Sequence, residues 1–356
     1  MLLMALLLQT ADPAAKTDAW IREQMTSRKI PGMSVAVIQD GQVRFERAYG
    51  KASVELNVPV TPATRFAIAS TTKAVSSTAV MLLITEGRVK LDQPVGDFLP
   101  DLPEAWRTVT IRRLLSHTSG LPDIIDSPNT GNPIARTRDS ALLLAGARPV
   151  DFAPGTRWAY NQTNYVLLGM VVTKVSGMPF EQFILQKVTT PLGLGSAEFG
   201  DARALVGNRS YGYTRFEVTP KGVTPLDSLR TTQYIYPTFM HMAAGLNINA
   251  TDLARFGDAV RAGRVIPVAM RDTLWTAIRL QDGSVFRFGG ESGFGLGWQV
   301  DDSPGNRWAG MEGGASTAFR IFPDRKLTVV VLTNLQGAGP GELVQQIAGF
   351  WSAGTP

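Results

Sequence analysis

The stretch IASTTKAV, Ile68 to Val75, places Ser70 three positions before Lys73 at the start of a helical run, Lys73 to Glu86. On a helix, positions i and i+3 share a face, so the hydroxyl and the amine can meet without help from distant residues. That geometry suits a serine activated by a lysine in place of a histidine. It is also what an ordinary polar helix start looks like, and a lone Ser-x-x-Lys does not choose between the two. The rest of the chain has to supply the other parts such a nucleophile needs.

Working outward, Asp18 to Gly32 carries helical periodicity that stops at Pro31-Gly32. Ser34 to Gln39 and Gln42 to Tyr49 alternate in polarity around Asp40-Gly41, a strong hairpin signal. Near the other end, Phe319 to Phe322 and Leu327 to Leu332 flank Pro323 to Lys326 and predict a second hairpin, followed by a closing helix over Gly341 to Ala353. Between them lie helical stretches, including Ile111 to Leu115 and Val166 to Val175, separated by Gly/Pro loops. Strands at both ends with helices between them predict one sheet assembled from both termini, with a long helical insertion packed against it. The expected division is residues 12–62 with 285–356 for the α/β sheet part and 63–284 for the mainly helical part. Residues 1–11, with the apolar run MLLMALLL, are expected to be a truncated secretory signal, placing the protein in the periplasm or outside the cell; the alternative is a buried N-terminal helix of a cytoplasmic protein.

Composition narrows the function. The 356 residues are 44% hydrophobic and 18% charged, which suits a well-packed globular chain and argues against disorder. The net charge of +5 is scattered, with no basic stripe interleaved with aromatics, so nucleic acid is not an expected partner. The apolar start is too short to span a bilayer, so stable membrane insertion is not expected either. The absence of cysteine excludes disulfides, thiolate metal sites and cysteine nucleophiles. Two distant histidines, His117 and His241, with no His-Glu-x-x-His, make a metal site improbable, and no cofactor is expected.

A histidine-based serine hydrolase finds little support. The nearest approach to Gly-x-Ser-x-Gly is Gly314 to Ala318, which precedes a strand instead of joining a strand to a helix. His117, before a Ser-Gly turn, fits a loop-tying role better than that of a base. A lysine-based arrangement also needs a second proton carrier and a strand edge offering N–H groups to an oxyanion. Tyr160, just before an apolar helix, is a candidate for the first, and the Gly-rich run Ala309 to Ser316 for the second. Taken alone, these would be a core tyrosine and bulge glycines.

Seven segments join the parts: FAIASTTKAV (66–75), LDQPVGDFLP (91–100), TIRRLLSHTSGLP (110–122), PGTRWAYNQTNYVLLG (154–169), AAGLNINATDLARF (243–256), GLGW (295–298) and FPDRKLTVVVLTN (322–334). In this order and spacing the chain resembles the serine β-lactamase-like superfamily, in the branch of class C β-lactamases, D-alanyl-D-alanine carboxypeptidases and family VIII esterases. The resemblance implies an α/β fold of the β-lactamase/transpeptidase type. It implies that Ser70 forms an acyl-enzyme, that Lys73 takes its proton as a neutral amine, and that Tyr160 carries protons to the leaving group. The oxyanion hole would be the N–H groups of Ser70 and Gly314.

Two departures from the family pattern bear on substrate. Tyr-x-Asn is replaced by Tyr160-Asn161-Gln162, so Gln162, or alternatively Asn161, would hold Lys73 or a substrate carbonyl. The motif that usually begins with Lys or His is Met311-Glu312-Gly313-Gly314. Met311 removes a cation that would hold a substrate carboxylate, and Glu312 would repel one. The expectation is a serine esterase for short, neutral esters. The alternatives are an amide hydrolase (β-lactamase, D,D-peptidase or D-amino-acid amidase) and a non-catalytic binding protein of the same fold. The partner is a small ester or amide, and the oligomeric state is left open.

Overall fold

Asp40 and Gly41 both take left-handed backbone, with φ of 53° and 76°, and fold β1 (Gly32–Gln39) back on β2 (Gln42–Ser53) in the hairpin their sequence predicts. The computed structural model describes residues 12–125, 132–219, 222–232, 235–288 and 292–351; the proposed signal segment lies outside them. The next strands are β3 (Val58–Pro59), β4 (Phe66–Ala67), β5 (Glu198–Phe199), β6 (Gly212–Thr219), β7 (Gly222–Thr232) and β8 (Leu246–Ile248). The C-terminal part adds β9 (Arg287–Phe288), β10 (Ser292–Phe294), β11 (Gln299–Asp301), β12 (Trp308–Gly313), β13 (Thr317–Phe322) and β14 (Leu327–Thr333). The second predicted hairpin is β13–β14, closed by a short turn in which Lys326 has φ 45°.

One antiparallel sheet runs β3-β2-β1-β14-β13-β12-β11-β10-β9. Its centre is the pairing of β1 with β14, Val35 opposite Val331, which joins the two ends of the chain. The run LTVVVLT in β14 is buried at every position because both faces of the sheet are covered. Val329 and Val331 point to a layer formed by α1 (Pro13–Ser27) and α11 (Pro340–Phe350), packing with Ile21, Leu343 and Ile347. Val330 and Leu332 point the other way, into the larger core shared with the helical layer.

That layer comprises α2 (Thr72–Thr85), α3 (Glu104–Arg107), α4 (Ile111–Leu115), α5 (Arg138–Gly146), α6 (Gln162–Ser176), α7 (Phe180–Ile184), α8 (His241–Ala244), α9 (Ala250–Arg261) and α10 (Val268–Leu274). Every residue of α2 from Thr72 to Met81 is buried, so this helix is central and has no solvent face to give it amphipathic patterning. The middle of the chain is not helical throughout. It also carries a three-stranded sheet, β4-β8-β5, and the long hairpin β6–β7. Among the described residues, no helix is long and apolar enough to cross a membrane.

Candidate active site

Ser70 sits in a 3-10 turn, Ala69–Thr71, that runs directly into α2. Ala69 before it has φ 44°, a left-handed conformation that a non-glycine residue holds only when its surroundings impose it. Those surroundings are visible. Thr71 Oγ1 is 3.2 Å from Thr317 Oγ1, and Thr317 Oγ1 donates to the carbonyl oxygens of Ile68 and Gly313, each at 3.1 Å. A Cβ on Gly313 would lie 2.1 Å from Ile68 O and 2.7 Å from Thr71 N. Glycine at 313 therefore lets the end of β12 press directly on the nucleophile turn.

Lys73 is fully buried in the first turn of α2. Its Nζ has three oxygens around it: Gln162 Oε1 at 3.0 Å, Ala243 O at 3.0 Å and Ser70 Oγ at 3.4 Å. The Gln162 and Ala243 oxygens are carbonyls and only accept. A neutral amine has two N–H donors and one lone pair, so donating to both carbonyls leaves the lone pair toward Ser70. Burial drives the lysine pKa down to about 7, and the carboxylate of Asp123 opposes that shift. The arrangement can accept the serine proton at neutral pH.

Tyr160 closes the group. Its ring lies 4.7 Å from Lys73 Nζ, and its hydroxyl faces the side chains of Ser70 and Gln162. The residue is 36% exposed and forms a wall of the opening. Burial of the hydroxyl raises its pKa, with Asp123 adding to the rise, so it stays a phenol able to donate a proton. Ser70, Lys73, Tyr160 and Gln162 therefore meet at one point, where the sequence reading places them.

Other residues fall elsewhere. Asn161 is the N-cap of α6, accepting from Asn164 N at 3.1 Å and donating to Leu121 O at 2.5 Å, so it is not the residue that holds Lys73. Met311 is 3% exposed and packs in the core shared with the helical layer. Glu312, next along the strand, points to the opposite face. Its carboxylate pairs with Arg320 at 3.3 Å and lies against Gly341 of α11. Strand alternation thus takes Glu312 behind the sheet, and the expectation that it meets substrate charge is corrected. Arg320 is not exposed either: it also bonds Gln345 Oε1 at 2.7 Å and covers the Trp308 ring at 4.1 Å. Gly314 and Ala315, with φ of 56° and 52°, form the two central positions of the turn from β12 to β13.

Sequence reasoning missed Asp123. It follows the segment SHTSGLP, and both its carboxylate oxygens accept from Gln162 N, at 3.1 and 3.2 Å. His117 is a tie, as its loop position suggests: Nδ1 accepts from Asn161 N at 3.1 Å, and burial keeps the ring neutral. No signal in the sequence marks Thr317 or the carbonyl of Ala243, because their roles depend on which strand and helix meet. β11 pairs with β12 only at Trp308 to Gly310, leaving the Met311–Gly313 side of the strand toward the opening. Beside the nucleophile turn lies a small cleft of ≈ 80 Å³, partly open to solvent, lined by Phe66, Ala69, Tyr236, Ala244 and Ser316. Its cation, Arg209, is engaged with the backbone carbonyls of Asp201 and Ala202. Among the described residues, no group of three or more His, Asp or Glu side chains is placed to hold a metal ion.

Comparison with known proteins identifies the family and the fold. The chain is 27% identical to penicillin-binding protein 4* of Bacillus subtilis (strain 168) over 313 residues, covering 85% of this chain and 67% of that protein. It is 29% identical to protein flp of Staphylococcus aureus (strain MW2) over 232 residues, covering 64% of this chain but only 46% of that longer protein. Among solved structures, the octameric penicillin-binding protein homologue from Pyrococcus abyssi superposes with a TM-score of 0.77 at 26% identity, covering 94% of this chain and 76% of the other. The family model described as Beta-lactamase matches residues 17–348, nearly the whole chain. The chain therefore belongs to the Beta-lactamase family, the serine β-lactamase-like hydrolases.

Proposed function

We propose that this protein is a serine carboxylesterase for short, neutral esters, working through Ser70, Lys73 and Tyr160. The observation that carries the substrate assignment is the charge of the opening. Met311 stands where the family pattern has a cation, and the carboxylate beside Lys73 and Tyr160 is that of Asp123. A substrate carboxylate would find no cation at 311 and would be repelled by the Asp123 charge, which favours a neutral substrate. The small cleft beside Ala69, whose charged lining residues are Asp201 and Arg209, suits a small acyl group.

In the proposed reaction, Lys73 Nζ takes the proton as Ser70 Oγ bonds to the ester carbonyl carbon. The oxyanion is held by the N–H of Ser70, one of the first-turn amides a helix leaves without an internal partner, and that of Gly314. Tyr160 donates its proton to the departing alkoxide and recovers one from Lys73, which closes the acyl-enzyme step. Water then enters, gives its proton back along the same route and releases the acid. A second reading, hydrolysis of D-amino-acid amides, draws on the same Asp123 charge, which would attract a substrate ammonium. The test is hydrolysis of p-nitrophenyl butyrate, nitrocefin and a D-aminoacyl amide by wild type and Ser70→Ala. Ester turnover lost in the variant, with kcat/KM for nitrocefin at least about 100-fold lower, supports the esterase. Faster cleavage of nitrocefin or the amide transfers the assignment to that class. No turnover of any of them favours the binding protein.

A further inference from the structure

We propose that Asp123 is a positioning residue of acylation: seated on the first amide of α6, it holds Gln162 against Lys73 and supplies the charge that sets where Lys73 becomes a base. This rests on the Ser70–Lys73 reading above. The loop carrying Asp123 is stitched to the start of α6 by four successive residues. Asn161 Nδ2 donates to Leu121 O at 2.5 Å, Gln162 N to the Asp123 carboxylate, Thr163 Oγ1 to Pro122 O at 2.7 Å, and Asn164 Oδ1 accepts from Ser119 Oγ at 2.6 Å. Asp123 and Lys73 thus hold the two ends of one residue, the backbone amide and the side-chain amide of Gln162. The amides of Ile124 and Ile125 in the same loop also favour its charged form.

These backbone donors satisfy the carboxylate without neutralising it. Among the described residues, no lysine or arginine forms an ion pair with it, and the Arg148 guanidinium bonds its backbone carbonyl. The titratable groups facing Lys73 are Ser70 on its own turn, Tyr160 and Tyr165 around α6, Asp123 from the loop, and His117, held neutral by burial. Asp123 is therefore the anion in the group, and it acts on Lys73 and Tyr160 in the same direction. It favours the ammonium and disfavours the phenolate. Burial alone would leave Lys73 a weaker base than it is with Asp123 nearby. The Asp123 charge works against that burial effect and restores basicity, while the backbone donors and the Lys73 charge oppose the effect of burial on Asp123 itself. The state above the Lys73 pKa of about 7 combines a neutral amine with a neutral phenol, one proton acceptor and one donor.

The experiment follows the rate of Ser70 phosphonylation by a fluorophosphonate probe against pH, by intact-protein mass spectrometry. The probe needs only the activated serine, so it does not depend on which substrate class is correct. Wild type should show a rate rising through a midpoint near pH 7. Asp123→Asn should move the midpoint down by about one to two pH units, and Asp123→Glu, which keeps the charge, should return it toward wild type. A midpoint that stays in place while labelling slows equally at every pH would make Asp123 merely structural and overturn the proposal. If Asp123→Asn loses the wild-type circular dichroism, Asp123→Ser takes its place, since a hydroxyl accepts from the Gln162 amide without charge. A wild type unlabelled at every pH overturns this proposal along with the Ser70 assignment. Labelling without ester turnover overturns the esterase assignment alone.

Discussion

Lys73 shows at the scale of one residue how function and stability oppose each other. Its pKa falls from 10.5 to about 7 because a buried ammonium is poorly solvated. Between those values the unfolded chain holds a proton that the folded one does not, so the lysine's contribution to stability rises with pH through this window and is lowest below pH 7. Lys73→Met removes that dependence. The variant should gain on wild type by roughly 3–5 kcal/mol as pH falls from about 10 to 7, while losing activity throughout. Melting curves of both proteins across that range check it, and parallel curves would show that Lys73 is not depressed. The same scale contains what was hardest to foresee. Asp123 stands in the sequence as an ordinary loop residue after Pro122, and only the bonds to the start of α6 bring it to the lysine.

At the scale of the element, β12 explains the two readings of Met311-Glu312. Alternation along a strand sends neighbours to opposite faces, so the pair cannot act together on one substrate. Met311 joins the core facing α2, and Glu312 pairs with Arg320 under α11. Met311→Lys alone, on the face toward α2 and the nucleophile turn, should raise nitrocefin hydrolysis by about tenfold or more while lowering stability, because the position is 3% exposed and an ammonium there is poorly solvated. Glu312→Thr should leave substrate preference unchanged and lower stability by roughly 1–3 kcal/mol, because Arg320 is buried and loses its carboxylate. Kinetics and melting of the two single variants separate these effects, and a preference that follows position 312 would contradict this assignment of faces. The hairpins were legible for a local reason: Asp40-Gly41 and Pro323 to Lys326 dictate their turns from within a few residues. The hairpin β6–β7, with its register shift between Thr214 and Phe216, is obscured in the sequence by Pro225 inside β7, a residue that normally argues against a strand.

At the scale of the whole molecule, the site is an interface between the sheet and the helical layer, and close contact between them is part of the chemistry. Gly297, in the loop between β10 and β11, shows how close it is. A Cβ there would fall 1.8 Å from Ser77 Oγ and 2.5 Å from Tyr165 Oη, and φ is +81°. Ser77 and Tyr165 are bonded to each other at 2.9 Å, and the Tyr165 ring lies 5.1 Å from Lys73 Nζ. Gly297→Ala should cost roughly 3 kcal/mol or more, from overpacking and a disallowed backbone together, and should lower kcat by disturbing the floor under Lys73. Denaturant unfolding and ester kinetics of the variant check it. An alanine tolerated in both would mean that the two layers are not pressed together at this point.

The amino-acid sequence by itself determined the hairpins, the helix that carries Ser70 and Lys73, and the assembly of one sheet from both ends. The hairpins follow from turn chemistry within short windows, and the shared sheet was read from strand signals at the two ends of the chain. The ordered motifs also placed Tyr160 and Gln162 with the nucleophile. Only the tertiary structure decided the role of Asp123, the withdrawal of Asn161 into a helix cap, and the turning of Glu312 away from the opening. These depend on which groups burial brings face to face, and the charge a buried group carries is set by neighbours that lie far apart along the chain.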